Sequence, residues 1–212
     1  MKYYIFGIQR TCTNYCKLLI ENNFYCENGN VNDYGHWSWK HNGDAEQATA
    51  NLLQNTPVFF CYKPPIPWLN SLIHQDVDFI NRYGLANYPN WIDPDLVLTN
   101  KLFSWSLPKA IHVWIDFHLN WLRYMHRCNA VLIHQVKMME QPHVISVLSK
   151  TQFELELVKK HAQWATIDNL VDHGGVITKN KVVTRNNKLT DKQENYVKNN
   201  IPKDITSFFE RQ

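Results

Sequence analysis

Residues 3–8, YYIFGI, form a short apolar run that ends in a turn, QRTCT, and the turn opens into NYCKLLIENN, where Tyr15, Leu18, Leu19 and Asn22 recur at helical spacing. A strand, a tight turn and a helix within the first 23 residues are the opening half of a βαβ unit. A strand without polar alternation is buried on both faces, which happens in parallel sheets covered by helices on each side. The rest of the chain continues the alternation. Residues 34–40, YGHWSWK, read as a second strand, broken by His41, Asn42 and Gly43. Residues 44–54 read as a helix with Asp44 as N-cap and Gln47 at capping-box spacing. PVFFCY, 57–62, is a third buried strand, and the prolines at 64, 65 and 67 start a helix that runs from Ile66 to His74. Residues 109–127 predict a long amphipathic helix with Ile111, Trp114, His118 and Trp121 on one side, and AVLIH, 130–134, a fourth strand. Helical segments are expected around 142–149 and 151–162, a polar loop over 173–188, and a closing helix from Thr190.

This pattern predicts an α/β fold in three layers, α/β/α, with a central parallel sheet of about four to five strands. The 212 residues read as a single domain, with 83–108 as an irregular insertion or lid. Ligands of such sheets sit at the carboxyl ends of the strands. A net charge of +3 is too slight for a nucleic-acid or membrane surface, so neither is expected as a partner, but it suits a compact polyanion. Five scattered cysteines without a CxxC pair read as free thiols in a reducing compartment. No apolar run approaches the ~20 residues that span a bilayer, and MKYYIFGIQR lacks a signal-peptide core. A soluble, cytoplasmic protein is expected. No HExxH or zinc-spaced Cys/His cluster occurs, so no metal is expected.

The turn Gly7-Ile8-Gln9-Arg10-Thr11-Cys12-Thr13-Asn14 lies at a strand-to-helix junction, where unpaired N–H groups attract phosphate. Arg10 can fork onto phosphate oxygens, and the hydroxyls of Thr11 and Thr13 can donate. Against the ATP-type loop GxxxxGK[ST], Cys12 replaces the second glycine, Thr13 the lysine and Asn14 the magnesium-holding hydroxyl. An ordinary polar helix cap is the plainer reading of the same residues.

The turn resembles the G-x-P-R-S-G-T-[TN]-[WYL] pattern of sulfotransferases that use 3′-phosphoadenosine 5′-phosphosulfate, here as Gly7, Gln9, Arg10, Thr11, Cys12, Thr13, Asn14 and Tyr15. The resemblance implies a P-loop nucleotide-binding type of sheet. It implies that the turn cradles the 5′-phosphosulfate and that Tyr15 stacks near the adenine. A Cβ at Cys12 is acceptable if the turn is already helical there, since it is costly only at positive φ. In the family a basic residue and a serine eight positions later hold the 3′-phosphate, and Lys63 and Ser71 have that separation. Lys keeps the charge but loses the bidentate fork of Arg. The family's clustered Lys and His correspond to Lys40 and His41, although one branch writes KTH, with one more residue between them. His36 is the chief rival to His41. Lys181 and Arg185 fall where the family closes a basic loop over the 3′-phosphate.

The resemblance implies transfer of a sulfuryl group to a hydroxyl or amine of a small-molecule or glycan acceptor, leaving adenosine 3′,5′-bisphosphate. Arg10 and Lys40 would offset the developing charge, and His41 would take the acceptor's proton. The aromatic residues Tyr83, Tyr88, Trp91, Phe103 and Trp105 could wall the acceptor pocket or merely cap the sheet. The alternatives are a small P-loop kinase, which would need Lys and Ser/Thr at positions 13 and 14, a non-catalytic nucleotide-binding relative of the fold, or a structural protein.

Overall fold

The computed structural model describes residues 1–33, 35–53, 56–72, 77–99, 104–128, 130–140, 169–172, 175–178 and 189–210. Its centre is a four-stranded sheet built from β1 (Lys2–Phe6), β2 (Glu27–Asn28), β3 (Val58–Tyr62) and β6 (Ala130–His134). The strand order is β2-β1-β3-β6, and every neighbouring pair is parallel. Two antiparallel hairpins stand outside it: β4 (Val97–Thr99) with β5 (Ser104–Ser106), and β7 (Asn169–Asp172) with β8 (Gly175–Thr178). The helices are α1 (Thr13–Asn23), α2 (Ala45–Ala50), α3 (Pro65–Leu72), α4 (Val77–Arg82), α5 (Leu107–Tyr124), α6 (Gln135–Glu140), α7 (Asp191–Asn200) and α8 (Lys203–Glu210).

The apolar strands divide their side chains between two cores, as the period of two requires. Tyr3, Ile5, Phe59, Cys61, Val131 and Ile133 face the buried side of α1, which carries Tyr15, Cys16, Leu19 and Ile20. Phe6, Val58, Phe60, Tyr62 and Leu132 face the opposite side, against α2, α3, α5, α7 and α8. The larger core is aromatic. Phe60 meets Trp121 at 5.2 Å and Phe209 at 5.6 Å, and Phe209 stacks on Tyr62 at 4.7 Å. Each such ring contributes on the order of 1.5–3 kcal/mol by leaving water. The α/β character and the helix-covered parallel sheet agree with the sequence reading.

Three readings are corrected. Residues 35–41 are turns and bends, not a strand. The edge of β1 there is taken by a side chain: the Asn30 amide accepts from Ile5 N–H (2.8 Å), donates to Ile5 C=O (2.9 Å) and donates to Ser38 C=O (2.7 Å). The insertion at 83–108 contains the β4–β5 hairpin, and its Trp105 is fully buried in the core. The polar loop expected over 173–188 includes strand β8. Helix α8 follows Pro202 and was not anticipated from sequence. The helices expected at 142–149 and 151–162 lie outside the described residues.

Candidate functional site

Because β1, β3 and β6 are parallel, their carboxyl ends lie along one edge of the sheet. Gly7 follows the first, Lys63 the second and Gln135 the third. Gly7 packs so closely on β3 that a Cβ would lie 2.6 Å from the Cys61 carbonyl oxygen and from Thr11 Oγ1. Only glycine fits that approach. The turn beyond it is left-handed at two positions, Arg10 (φ 73°) and Cys12 (φ 64°). Cys12 is the N-cap residue of α1 and supplies no side-chain cap, and no acidic residue occupies the first helical turn. The positive end of α1 is therefore not neutralised by its own sequence.

Segment 40–41 is bound to this turn by backbone and side chain. Gly7 N–H donates to the Lys40 carbonyl (3.1 Å), and His41 Nδ1 donates to the Gly7 carbonyl (2.7 Å). Lys40 Nζ donates to Asn14 Oδ1 in the first turn of α1. A carbonyl partner at Nδ1 fixes the tautomer of His41 and leaves the lone pair on Nε2. Burial is the main cause that lowers the His41 pKa to about 3, and the nearby charges of Lys40 and Arg82 push it the same way, against the Gly7 bond.

The turn after β1 and the end of β3 both bear on Cys12. Its thiol is pushed up by burial, and Lys63 and Arg10 both act on it in the opposite direction, with a hydrogen bond from Gln135 adding to theirs. Both cations thus act on the same sulfur. Lys63 is buried, at 6% exposure. Arg10 is half-buried, and among the described residues no carboxylate pairs with it.

Three indoles hold this edge together. Trp68 of α3 donates to Gln9 C=O (2.8 Å), Trp114 of α5 to Lys63 C=O (3.3 Å), and Trp121 of α5 to Asn42 C=O (3.0 Å). Each ring is fully buried and delivers one donor to one segment of the site.

The fold places the other expected site residues individually. The Thr11 hydroxyl donates to Ile8 C=O (2.7 Å) and is fully buried, so it serves the turn itself. Thr13 is 4% exposed and Tyr15 8%; both lie on the inner face of α1, and Tyr15 is a core ring against the sheet. The condition for tolerating Cys12 without cost is not met, because its φ is positive. The Ser71 hydroxyl donates to Trp68 C=O (2.6 Å) one turn back in α3. Lys181, Arg185, His74 and Phe103 lie outside the described residues. His36 is exposed and bonds to Ser38 Oγ (2.9 Å) in the 35–41 segment. Of the aromatic wall, Tyr83 lines a cleft, Trp105 is core and Trp91 is 84% exposed.

Sequence reading missed Arg82. It closes the short helix α4, its guanidinium lies 4.7 Å above the Trp39 ring, and its charge acts on His41. A single Arg before a Tyr-Gly pair carries no motif that would have identified it. Gln135 was also missed, because its role depends on β6 ending beside Cys12.

Among the described residues, no group of three or more His, Cys, Asp or Glu is arranged to hold a metal ion. Among the same residues, no helix is long and apolar enough to cross a membrane. Comparison of the chain with family models, with curated proteins and with solved structures finds no match. Fold and site together define an α/β protein with a parallel sheet and a cationic turn at its strand ends.

Proposed function

We propose that this chain is a sulfotransferase of P-loop type. It would take 3′-phosphoadenosine 5′-phosphosulfate as donor and a hydroxyl or amine as acceptor. The observation that carries this reading is that Arg10 and Lys63 follow two neighbouring parallel strands, beside the uncapped first turn of α1, and that both charges act on Cys12. A nucleotide with a phosphate at each end of its ribose needs two such cationic positions. The α1 amides and Arg10 would take the 5′-phosphosulfate and Lys63 the 3′-phosphate. Lys40, held at Asn14, would face the transferring group. In the transfer the acceptor oxygen bonds to sulfur, the bond from sulfur to the phosphate oxygen breaks with its electron pair leaving on phosphate, and the acceptor's proton goes to His41 Nε2. An arriving polyanion opposes the burial that holds the His41 pKa down.

A second reading, nucleotide binding without turnover, is favoured by the low basicity of His41, with its pKa lowered to about 3, and by the burial of Tyr15 in the core. Two measurements separate these readings. Calorimetric titration should show adenosine 3′,5′-bisphosphate binding more tightly than magnesium-ATP, and Lys63→Ala should weaken it by roughly 10-fold or more, as loss of a charged hydrogen bond does. Absence of bisphosphate binding, or tighter ATP binding, overturns both readings. Transfer of labelled sulfate onto an acceptor panel, abolished in His41→Ala with bisphosphate affinity kept, supports catalysis over simple binding.

A further inference from the structure

Strand β2 pairs with β1 only at Lys2 and Tyr3. Beyond it the Asn30 amide continues the ladder along Ile5, and it reaches further than the sheet. Its Oδ1 accepts from Ile5 N–H (2.8 Å) and from Asn28 Nδ2 (3.0 Å), and its Nδ2 donates to Ile5 C=O (2.9 Å) and to Ser38 C=O (2.7 Å). Both lone pairs and both hydrogens of the amide are thereby used, so its orientation is fixed. The Asn30 backbone N–H returns to Asn28 Oδ1 (3.0 Å) and locks the pair of amides.

The far end of this link leads into the site. Ser38 precedes Lys40 by two residues, as Ile5 precedes Gly7. Ile5 is tied to Ser38 through the Asn30 amide, and Gly7 N–H is bonded directly to Lys40 C=O (3.1 Å). Segment 38–41 thus runs beside residues 5–7 in the manner of a strand, with one backbone bond replaced by a side chain. Its other end is held from α5, where the Trp121 indole donates to Asn42 C=O (3.0 Å).

We infer that Asn30 is a positioning residue of the site: its amide, set between Ile5 and Ser38, fixes how segment 38–41 lies along the end of β1 and so seats His41 on the Gly7 carbonyl. The seating is independent of the sulfotransferase reading; its consequence for proton transfer rests on that reading. Because Trp121 also holds the segment, loss of the Asn30 amide loosens 38–41 without releasing it.

The test is NMR of the imidazole N–H groups in the full chain made with isotope-labelled histidine. His41 and His118 each donate Nδ1–H to a backbone carbonyl at 2.7 Å, that of Gly7 and that of Trp114. His118 is buried in the aromatic core on α5 and serves as the internal standard. Asn30→Asp keeps the shape of the side chain but has no hydrogen to give to the carbonyls of Ile5 and Ser38. Solvent exchange of the His41 Nδ1–H should rise by ~10-fold or more, as loss of one or two hydrogen bonds allows, with that of His118 unchanged. Asn28→Ala removes only the neighbour that orients the amide and should shift His41 the same way by a smaller factor, which keeps the test readable should Asn30→Asp fail to fold. Unchanged exchange at His41 in the variant that folds, or an equal rise at both rings, overturns the proposal. Faster His41 exchange in a protein that does not bind adenosine 3′,5′-bisphosphate upholds the role of Asn30 and removes the sulfotransferase reading. Bisphosphate binding with His41 exchange unchanged in the variant does the reverse.

Discussion

Cys12 sits in left-handed backbone, at φ 64° and ψ 30°, where a side chain crowds its own carbonyl. The strain is of order 1–2 kcal/mol, and glycine would be relieved of it. Cys12→Gly should therefore raise stability by about 1 kcal/mol, or ~2–4 °C in thermal midpoint for a domain of this size. A midpoint that falls instead would mean that the thiol's packing against the α1 core outweighs the strain. At this scale the sequence was readable where a residue's role is local. Gly7, Arg10 and Lys63 lie in or beside turns after strands, and a strand-turn-helix pattern points to such positions. That the Thr11 hydroxyl turns back onto Ile8 C=O and that Tyr15 faces the sheet was not legible, because a motif does not say which way a side chain points. Arg82 carries no local signature at all; its place beside Trp39 and His41 comes from the fold.

At the scale of elements, strands buried on both faces and long amphipathic helices were legible. Strand β6 and the start of α7 at Thr190 lie where the pattern placed them, the latter with a complete capping box of Thr190 and Gln193. The segment 35–41 was not legible. Alternating aromatics suggested a strand, yet the Asn30 amide had already taken the sheet edge by a contact that no periodicity reveals. Helix α3 illustrates how an element positions the site. Its Trp68 reaches the turn through one indole N–H on Gln9 C=O. Trp68→Phe keeps most of the buried ring and deletes that donor. It should cost about 1–3 kcal/mol in chemical denaturation, the range for leaving a buried partner unsatisfied or losing its bond. Bisphosphate affinity should fall with it. Loss of stability with no loss of affinity would separate α3 from the turn.

Across the whole molecule, two buried imidazoles link stability to pH. His41 and His118 are both held neutral by burial, with pKa values lowered from 6.5 to about 3. Below pH 6.5 the unfolded chain takes up protons that the folded chain refuses until about pH 3. Stability is thus full above pH 6.5 and falls as the pH drops through that window, at a slope of roughly 1.4 kcal/mol per pH unit for each ring. Urea denaturation at a series of pH values measures the slope. His118→Phe, in a cage that already holds Trp114 at 3.9 Å, should remove about half of it. An unchanged slope would show that His118 does not contribute.

The two faces of the sheet are unequally covered. Among the described residues, α2, α3, α5, α7 and α8 lie over one face, while α1 supplies most of the cover on the other. Four of the five cysteines lie in or against that thinner side: Cys16 and Cys61 within it, Cys12 and Cys26 at its margin. The helix that opens at the cationic turn therefore also covers Cys61 and buries its own Cys16. Among the described residues α1 is what buries Cys16 and Cys61, so a ligand that grips the head of that helix should slow their oxidation.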